Sequence, residues 1–260
     1  MNNTQLDKSQ RLAGRVAIVT GSAQGIGARY AQALAAEGAA VVCADVIDAS
    51  PIAKSITSCG RKAIAIDLDV TSAESAFRMA HATLQAFGRI DILVNNAGIF
   101  TNLTLKPLEQ ITSGEWDRVM AVNVRGPFEC AKAVLPAMRA QGYGKIVNIA
   151  SGTVFKGAPM LLHYVSSKGA VVAMTRSMAR ELGDDGIRVN TLAPGLTASE
   201  NTLTNPAWQG AASANNIATR AIKREATPED LCGTLVYLAS AESDFVTGQV
   251  IVVDGGSVMH

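Results

Sequence analysis

The stretch VAIVTGSAQGIG, residues 16–27, decides the fold of this chain. It begins with VAIVT (16–20), a short apolar run typical of strands that are covered on both faces. A turn with Gly21, Gly25 and Gly27 follows, and a small-residue amphipathic stretch continues to about Gly38. A strand, a glycine-rich turn and a helix in this order indicate a binding site for the pyrophosphate of a dinucleotide.

Each glycine of this turn has its own predicted role. Gly21 lets the chain turn sharply off the strand, Gly25 lets backbone approach a pyrophosphate, and Gly27 lets the helix pack close to the sheet. The helix N-terminus adds free N–H groups and a positive dipole end. The spacing G-x-x-x-G-x-G differs from the commoner G-x-G-x-x-G, and ordinary turns contain glycine too, so the surrounding sequence has to decide.

The second apolar run ends at Asp45, 18 residues after Gly27. A carboxylate at this point accepts hydrogen bonds from both hydroxyls of an adenosine ribose and repels a 2′-phosphate. Val46 and Ile47 follow it, and Gln24 in the glycine turn is uncharged, so no basic side chain is available there for that phosphate. The sequence therefore predicts NAD as the cofactor; the alternative reading of Asp45 is a simple turn residue.

Apolar runs and helical stretches alternate along almost the whole chain. After 16–20, the apolar runs are 39–45, 62–70, 91–98, 145–151, 186–195 and 248–256, and the clearest helical segments are 73–87, 115–140, 164–182 and 228–240. Wholly apolar strands that alternate with helices imply a parallel sheet covered on both faces. The predicted fold class is α/β: a single doubly wound (Rossmann) domain over residues 12–260, with about seven parallel strands and helices on both faces.

Three local features complete this prediction. Residues 1–11 are polar, lack the apolar core of a secretory signal, and are predicted to be a flexible tail. Residues 196–223 are rich in Ala, Asn and Thr, and long segments of this kind in compact domains often serve as lids, so we expect a mobile substrate lid there. Thr227 is expected to cap the helix at 228–240, with Pro228 in its first turn.

Composition excludes several classes of function. The 260 residues carry a formal net charge of +1 with the charges dispersed, which is unlike the basic surface of a nucleic-acid binder. The sequence contains no run of about 18 apolar residues, the length that a membrane span needs, so no membrane span is predicted. The four cysteines show no paired spacing, so reduced thiols in a cytoplasmic protein are expected. The three histidines are not in metal-ligand spacing, and no metal is predicted.

Tyr164 precedes Lys168 by four residues, which places both side chains on one face of a helix. Taken alone, such a pair is most often an ordinary surface contact. Its context changes this reading, because seven spaced motifs over about residues 12–256 resemble those of the short-chain dehydrogenase/reductase family. They are TGSAQGIG (20–27), Asp69-Val70, Asn95-Asn96-Ala97-Gly98, Asn123 in MAVNVRG, Ser151 thirteen residues before the tyrosine, the Tyr164/Lys168 pair, and Pro194-Gly195.

The resemblance implies four catalytic residues: Asn123, Ser151, Tyr164 and Lys168. Tyr164 would be general acid for ketone reduction and general base for alcohol oxidation. A free phenol has a pKa of about 10, and the charge of Lys168 is expected to lower it. Lys168 would also bind the nicotinamide ribose, Ser151 would position the substrate oxygen, and Asn123 would hold a water that links Lys168 to solvent.

The resemblance also implies the residues that contact the cofactor. They are Gly21, Gln24, Gly25, Ile26, Gly27, Asp45, Asp69, Val70, Asn96, Gly98, Tyr164, Lys168, Pro194, Gly195, Thr197 and Ser199. The family usually has a threonine five residues after the Pro194 equivalent, where this chain has Ser199, so either Thr197 or Ser199 would meet the nicotinamide amide.

The function expected from these observations is NAD(H)-dependent interconversion of a secondary alcohol and its ketone. The VDGGSVMH ending and the PGLTASE stretch are similar to those of dehydrogenases of secondary alcohols, including cyclic and aromatic ones. The alternatives are an NADP-dependent 3-oxoacyl-carrier-protein reductase and, in a different class, a non-catalytic dinucleotide-binding sensor. The expected partner is a small alcohol or ketone, with neither nucleic acid nor membrane, and the resemblance implies a homotetramer.

Overall fold

A computed structural model describes residues 10–259, whose core is one seven-stranded parallel sheet. The strands are β1 (Val16–Thr20), β2 (Ala40–Asp45), β3 (Ala63–Asp67), β4 (Ile92–Asn95), β5 (Gly144–Ile149), β6 (Ile187–Pro194) and β7 (Val250–Val253). Their order in the sheet is β3-β2-β1-β4-β5-β6-β7. Chain order reverses between β1 and β4, and ligands of doubly wound sheets bind at the carboxyl ends of the strands on either side of such a reversal.

Ten α-helices are found along the described residues. They are α1 (Gly25–Ala36), α2 (Ser50–Ser58), α3 (Ala73–Phe87), α4 (Ser113–Met120), α5 (Gly126–Gln141), α6 (Thr153–Lys156), α7 (Leu162–Glu181), α8 (Glu200–Leu203), α9 (Ala211–Thr219) and α10 (Glu229–Ala239). Short 3₁₀ turns lie at Leu108–Gln110, Pro206–Trp208 and Ala241–Ser243.

The helices cover both faces of the sheet and bury two hydrophobic cores. On one face, α1, α2 and α10 pack against the strands through side chains that include Tyr30, Leu34 and Leu235, all fully buried. On the other face, α3, α5 and α7 bury Met79, Val134 and Met138 against the same sheet. The central strand β1 is covered on both sides and fully buried along its length, which explains its lack of alternation. The seven-stranded parallel sheet with helices on both faces confirms the predicted fold class.

The structure differs from the sequence-based prediction in two helices. The segment predicted as one helix at 115–140 is α4 and α5 joined by a π-helical turn, Ala121–Arg125. Thr227 does not cap α10, whose N-cap residue is Pro228 without a side-chain cap. Instead the Thr227 backbone N–H donates to the Asp230 carboxylate at 2.8 Å, so a carboxylate in the first turn satisfies the helix start.

Outside the regular sheet and helix layers, the two remaining segments differ in structure. Residues 196–223 contain α8, a 3₁₀ turn and α9 rather than an irregular loop. Of the predicted tail, residues 1–9 lie outside the described residues, and Arg11 forms an ion pair with Glu37 at 2.7 Å.

None of the helices within residues 10–259 is both long enough and apolar enough to cross a membrane.

Candidate active site

A cleft of about 730 Å³ opens at the carboxyl ends of the strands, around the point where the strand order reverses. Seventeen residues predicted to contact cofactor or substrate line this cleft, whereas Asn123 lies behind its wall. The lining residues are Gly21, Gln24, Gly25, Ile26, Gly27, Asp45, Asp69, Val70, Asn96, Gly98, Ser151, Tyr164, Lys168, Pro194, Gly195, Thr197 and Ser199. Residues dispersed over 179 positions of sequence therefore meet in one cavity, whose volume suits a dinucleotide with a small substrate.

The glycine turn that connects β1 to α1 has the geometry its spacing predicts. Gly21 has φ +66°, a backbone conformation that glycine adopts without steric cost. A Cβ added at Gly27 would lie 2.0 Å from the Gly21 carbonyl oxygen, so only glycine permits this close packing of helix on strand. Gly25 has φ +57°, and a Cβ there would find its nearest described neighbour 3.7 Å away, at Asn201. A side chain at Gly25 would therefore make only ordinary van der Waals contacts, with Asn201 and Ser199.

The beginning of α1 fits the pyrophosphate of a dinucleotide. Gln24 is its N-cap residue, and among the described residues no side chain caps the helix. The first turn contains no acidic residue, so the positive end of the helix dipole is not neutralised within the turn. The first N–H groups of a helix have no partner inside it and bind anions readily.

Asp45 ends β2 and points its carboxylate toward the glycine turn. One oxygen accepts from the Ala23 N–H at 2.9 Å and the other from the Ile47 N–H at 3.3 Å. The carboxylate thus braces the turn and also lines the cleft. Val46 and Ile47 beside it are exposed apolar side chains.

The Asn95-Asn96 pair holds the ends of the central strands. Asn96 Nδ2 donates to the carbonyls of Thr20 and Gly21, both at 3.0 Å, which fixes the start of the glycine turn. Asn95 Nδ2 donates to Asn148 Oδ1 at 2.8 Å inside the sheet. Asn96 therefore reaches the cleft as a brace of the backbone that would contact a cofactor.

Tyr164 and Ser151 form the reactive part of the cleft. Tyr164 lies in the first turn of α7, Ser151 follows β5, and their side chains are hydrogen-bonded to each other. Ser151 Oγ also accepts from the N–H and the hydroxyl of Thr153, at 3.3 and 3.0 Å. Because these two bonds occupy the lone pairs of Ser151, its own hydrogen is left to be donated into the cleft.

The electrostatics of this pair differ from the expectation that Lys168 lowers the pKa of Tyr164. Lys168 Nζ donates to the Ile149 carbonyl at 2.8 Å and lies 5.9 Å from the centre of the tyrosine ring. Burial raises the pKa of Tyr164 to about 12, against the lowering effect of its hydrogen bond with Ser151. Burial also lowers the pKa of Lys168 to about 8. Removal from water thus disfavours the charged form of both groups and dominates over their mutual attraction.

Asn123 lies in the π-helical turn between α4 and α5 and is fully buried. Its Oδ1 accepts from the Ile99 N–H at 2.7 Å, and its Nδ2 donates to the Ile99 carbonyl and to Ser167 Oγ at 3.2 and 3.0 Å. The side chain therefore ties the loop after β4 to α7, one turn from Tyr164.

The stretch after β6 brings both candidate hydroxyls into the cleft. Thr197 Oγ1 donates to the Gly195 carbonyl at 3.0 Å, and Ser199 forms a capping box with Thr202 at the start of α8. Thr202 Oγ1 also donates to the Thr197 carbonyl at 2.7 Å, so it links the two positions. Sequence reasoning missed Thr202, although its place three residues after Ser199 has the spacing of a capping box.

Sequence reasoning also missed Phe100, whose ring packs against those of Tyr164 and Trp208. Phe100 lies two residues after the Asn-Asn-Ala-Gly motif, and its ring is tilted by 39° against the Tyr164 ring with a centroid distance of 4.9 Å. Trp208, in the 3₁₀ turn between α8 and α9, stacks on the other aromatic, Phe100, at 4.6 Å. The sequence position of Phe100 next to that motif is the signal that could have identified it.

Comparison with known proteins agrees with this geometry. A family model described as Enoyl-(Acyl carrier protein) reductase matches residues 21–258. Galactitol 2-dehydrogenase of Agrobacterium fabrum is 41% identical, over 96% of this chain and 99% of that protein. The 3-alpha-(or 20-beta)-hydroxysteroid dehydrogenase of Mycobacterium bovis is 38% identical, over 96% of this chain and 92% of that protein.

A solved structure, gluconate 5-dehydrogenase of Burkholderia cenocepacia in complex with NADP and tartrate, superposes with a TM-score of 0.90 at 36% identity. The similarity covers 96% of this chain and 97% of that one. Relatives of this kind act on alcohols and ketones, and the match extends from the glycine turn to the last strand. The chain therefore belongs to the short-chain dehydrogenase/reductase family and is an oxidoreductase that uses a nicotinamide dinucleotide.

Proposed function

We propose that the protein is an NAD(H)-dependent dehydrogenase that interconverts a secondary alcohol and its ketone. The observation that carries the reaction is the hydrogen-bonded Tyr164–Ser151 pair, which shares one cleft with Lys168 and the glycine turn. When bound, the cofactor supplies the nicotinamide carbon that accepts or returns the hydride. The protein has to manage the accompanying proton at the substrate oxygen.

Tyr164 performs that proton transfer in this proposal. A phenol with the ordinary pKa of about 10 is already protonated at neutral pH, and burial raises the pKa of Tyr164 further, to about 12, so its side chain holds the proton that ketone reduction needs. In the opposite direction the phenol has to lose its proton first. Ser151 assists by donating its free hydrogen to the oxygen that becomes negative, either the phenolate or the alkoxide.

Two further residues, Asn123 and Lys168, support this proton transfer. A Cβ at Gly98 would approach Asn123 Oδ1 to 3.3 Å and Lys168 Nζ to 3.5 Å, so glycine at this position lets both side chains reach the cleft wall. Lys168 lies on the same face of α7 as Tyr164, where its ammonium can bind a ribose hydroxyl. The hydrogen bonds of Asn123 hold α7 and the loop after β4 together.

The preference for NAD rests on Asp45. The basic side chains among the described cleft residues are Arg118, Lys156 and Lys168, and all three lie on α4, α6 or α7, away from the end of β2. A 2′-phosphate beside Asp45 would meet a carboxylate and two exposed apolar side chains. The negative charges of the 2′-phosphate and the Asp45 carboxylate would repel each other, so the protein should bind NAD more tightly than NADP.

The test is a cofactor series at Asp45. The parent should prefer NAD over NADP by roughly 100-fold in kcat/KM, equal to about 2.7 kcal/mol. Asp45→Asn keeps an oxygen for the Ala23 N–H but removes the charge, so this preference should narrow by about tenfold. Adding Val46→Arg should narrow it further or reverse it, because a guanidinium binds phosphate well.

The matched control is Asp48→Asn, which removes a carboxylate three residues further on and outside the cleft. Asp48 accepts from the Ser50 N–H at 2.9 Å and should leave the cofactor ratio unchanged. Equal use of NAD and NADP by the parent would contradict the proposed cofactor while leaving the dehydrogenase chemistry intact.

A further inference from the structure

Met160 has a backbone conformation that residues with a side chain rarely adopt. Its φ is +67°, in the left-handed region, and among the described residues it is the one residue other than glycine with a positive φ. Glycine adopts this region freely and asparagine tolerates it, but for most residues the Cβ makes it unfavourable. Strained backbone of this kind persists where the surrounding structure enforces it, and it is concentrated at binding and catalytic sites.

The strained residue lies beside the part of the cleft that contains Tyr164. It precedes Leu161, the N-cap residue of α7, and α7 carries Tyr164 in its first turn. The neighbours on either side of it, Pro159 and Leu161, both line the cleft. The Met160 side chain does not line the cleft and is 43% exposed. The backbone of Met160, rather than its side chain, therefore determines where these two neighbours meet a substrate.

A hydrogen bond holds this backbone in place. The Lys106 N–H donates to the Met160 carbonyl at 3.0 Å. Lys106 belongs to the loop after β4, and Met160 belongs to the segment between α6 and α7. The loop after β4 also lines the cleft, through residues 98–102 and Leu105. The bond therefore joins two segments of the cleft wall that are distant in the sequence.

Both segments are stiff at the point where they meet. Pro107 follows Lys106, and Pro159 precedes Met160. Proline fixes its own φ and restricts the residue before it to extended conformations, so ordering these segments costs little backbone entropy. The Lys106 side chain also forms an ion pair with Glu115, in the first turn of α4, at 2.5 Å. Lys106 thus connects α4 to the segment before α7.

We propose that Met160 is a positioning residue for the substrate. Its left-handed backbone, held by the Lys106 N–H, places Pro159 and Leu161 where a secondary alcohol packs against them with its hydroxyl at Tyr164. This inference rests on the proposed dehydrogenase function and adds to it a residue that acts through its backbone conformation.

Tyr164 itself is held by other contacts. The Ser167 hydroxyl donates to the Tyr164 carbonyl at 2.7 Å, and Ser151 is hydrogen-bonded to the phenol. Loss of the left-handed conformation should therefore displace the wall against which the substrate packs and leave the acid–base group in place. Asp45 and the glycine turn, at the cofactor end, belong to other segments. The binding of the alcohol should thus suffer more than the chemical step or the binding of NAD.

The experiment compares two substitutions of Met160 that differ in how well they tolerate the left-handed region. Met160→Asn tolerates it, whereas Met160→Val is strongly disfavoured there because its Cβ is branched. The best alcohol in a panel that contains galactitol and cyclohexanol is oxidised with NAD. Met160→Val should raise KM for the alcohol about tenfold, as release of this strain implies, and leave kcat and KM for NAD within about threefold.

Met160→Asn should keep all three constants within about twofold of the parent, because it retains the backbone conformation without the methionine side chain. A merely structural role would give a different pattern. The thermal midpoint of Met160→Val would then fall, but the ratio of its two KM values would equal that of the parent.

Two controls separate the backbone from nearby side chains. Leu108→Val introduces the same branched residue at a position that is 68% exposed and outside the cleft lining, and it should change neither KM. Lys106→Met removes the ion pair with Glu115 but keeps the N–H that donates to Met160. In this variant KM for the alcohol should change less than in Met160→Val.

Amide hydrogen exchange provides a readout that does not depend on turnover. The Lys106 amide should exchange slowly in the parent and in Met160→Asn, and at least about tenfold faster in Met160→Val. An alcohol KM in Met160→Val within twofold of the parent, or an equal rise in Met160→Asn, would overturn the inference and leave the dehydrogenase function standing. Failure to oxidise any secondary alcohol, together with failure to reduce any ketone, would instead contradict the proposed function and the inference with it.

Discussion

The pKa of Tyr164 depends mainly on how deeply its phenol is buried. The four-residue spacing to Lys168 could be predicted from the sequence, and so could the serine thirteen positions before it. The pKa values could not, because they depend on how completely surrounding chain excludes water from each group. Burial raises the pKa of Tyr164 and lowers that of Lys168, an outcome that only the packed structure reveals.

The direction of these pKa shifts predicts a pH dependence for the reaction. Alcohol oxidation needs the phenolate of Tyr164, whose population rises with pH up to the pKa, so its rate should increase from neutral to alkaline pH. The hydrogen bond from Ser151 lowers that pKa. Ser151→Ala should therefore shift the rising limb of the pH–rate profile to higher pH and also reduce the maximum rate.

The measurement is log(kcat/KM) for alcohol oxidation against pH. Thr153→Val is the matched control, since it removes a donor to Ser151 but keeps the serine hydrogen bond, and its limb should move less. Tyr164→Phe provides the reference without the titrating group and should lose nearly all turnover while binding NAD almost normally. A limb that stays in place in Ser151→Ala would contradict the assignment of Tyr164 as the base.

Among the secondary-structure elements, the glycine turn is the one that the sequence describes best. Its glycines could be assigned separate roles from their spacing, and the structure gives Gly21 and Gly25 positive φ angles and places Gly27 against the Gly21 carbonyl. The contacts of Asn96 with Thr20 and Gly21 were not predictable, because they join segments more than 70 residues apart.

Two alanine substitutions in this turn should have different effects on stability. In Gly27→Ala the new Cβ would overlap the Gly21 carbonyl, so the loss should be several kcal/mol and the thermal midpoint should fall markedly. Gly25→Ala meets no such overlap and adds only the strain of a left-handed backbone, about 1–2 kcal/mol. Thermal unfolding of both variants checks this order; a larger loss in Gly25→Ala would contradict it.

We expect the mobility of residues 196–223 to depend on bound ligand more than that of the other segments. Their contacts with the loop after β4, through Asn205 and Trp208, are few. We expect fast amide hydrogen exchange in this segment of the free protein and slow exchange with cofactor and substrate together. Strong and equal protection in both states would indicate a static structural segment instead.

The two ends of the sheet serve different purposes. The carboxyl ends of the strands form the cleft, whereas ion pairs stabilise the amino ends of β1 and β4. Asp91, fully buried before β4, accepts from Arg15 at 2.9 Å, from Arg89 at 2.6 Å and from the Val16 N–H at 2.9 Å. This cluster joins β1, β4 and the turn before them. Periodicity predicted the order of strands and helices, but a charge cluster assembled from distant positions leaves no pattern in the sequence.

Replacing Asp91 should therefore affect stability and leave the chemistry intact. Asp91→Ala leaves two arginines and a backbone N–H without their acceptor, and should lower the free energy of unfolding by about 2–4 kcal/mol, since both arginines still reach solvent. The kcat/KM of the folded variant should stay within about twofold of the parent. Glu74→Ala is the control, because its ion pair with Arg78 is exposed and should contribute less than about 1 kcal/mol. If Asp91→Ala lost most of its activity while remaining as stable as the parent, the assignment of Asp91 to stability alone would be wrong.

The π-helical turn at Ala121–Arg125 has a consequence for how the chain tolerates insertions and deletions. A π-turn accommodates one residue more than an α-turn, and each residue of an α-helix rotates the side-chain direction by about 100°. Deleting one residue here would remove the π-turn and join α4 directly to α5, with a kink at Pro127, because this proline has no N–H and its ring would meet the carbonyl four residues before it. Asn123 would then turn away from Ile99 and Ser167. The site depends on an extra residue that the helix itself does not require, so a shortened chain could fold and still lose its activity.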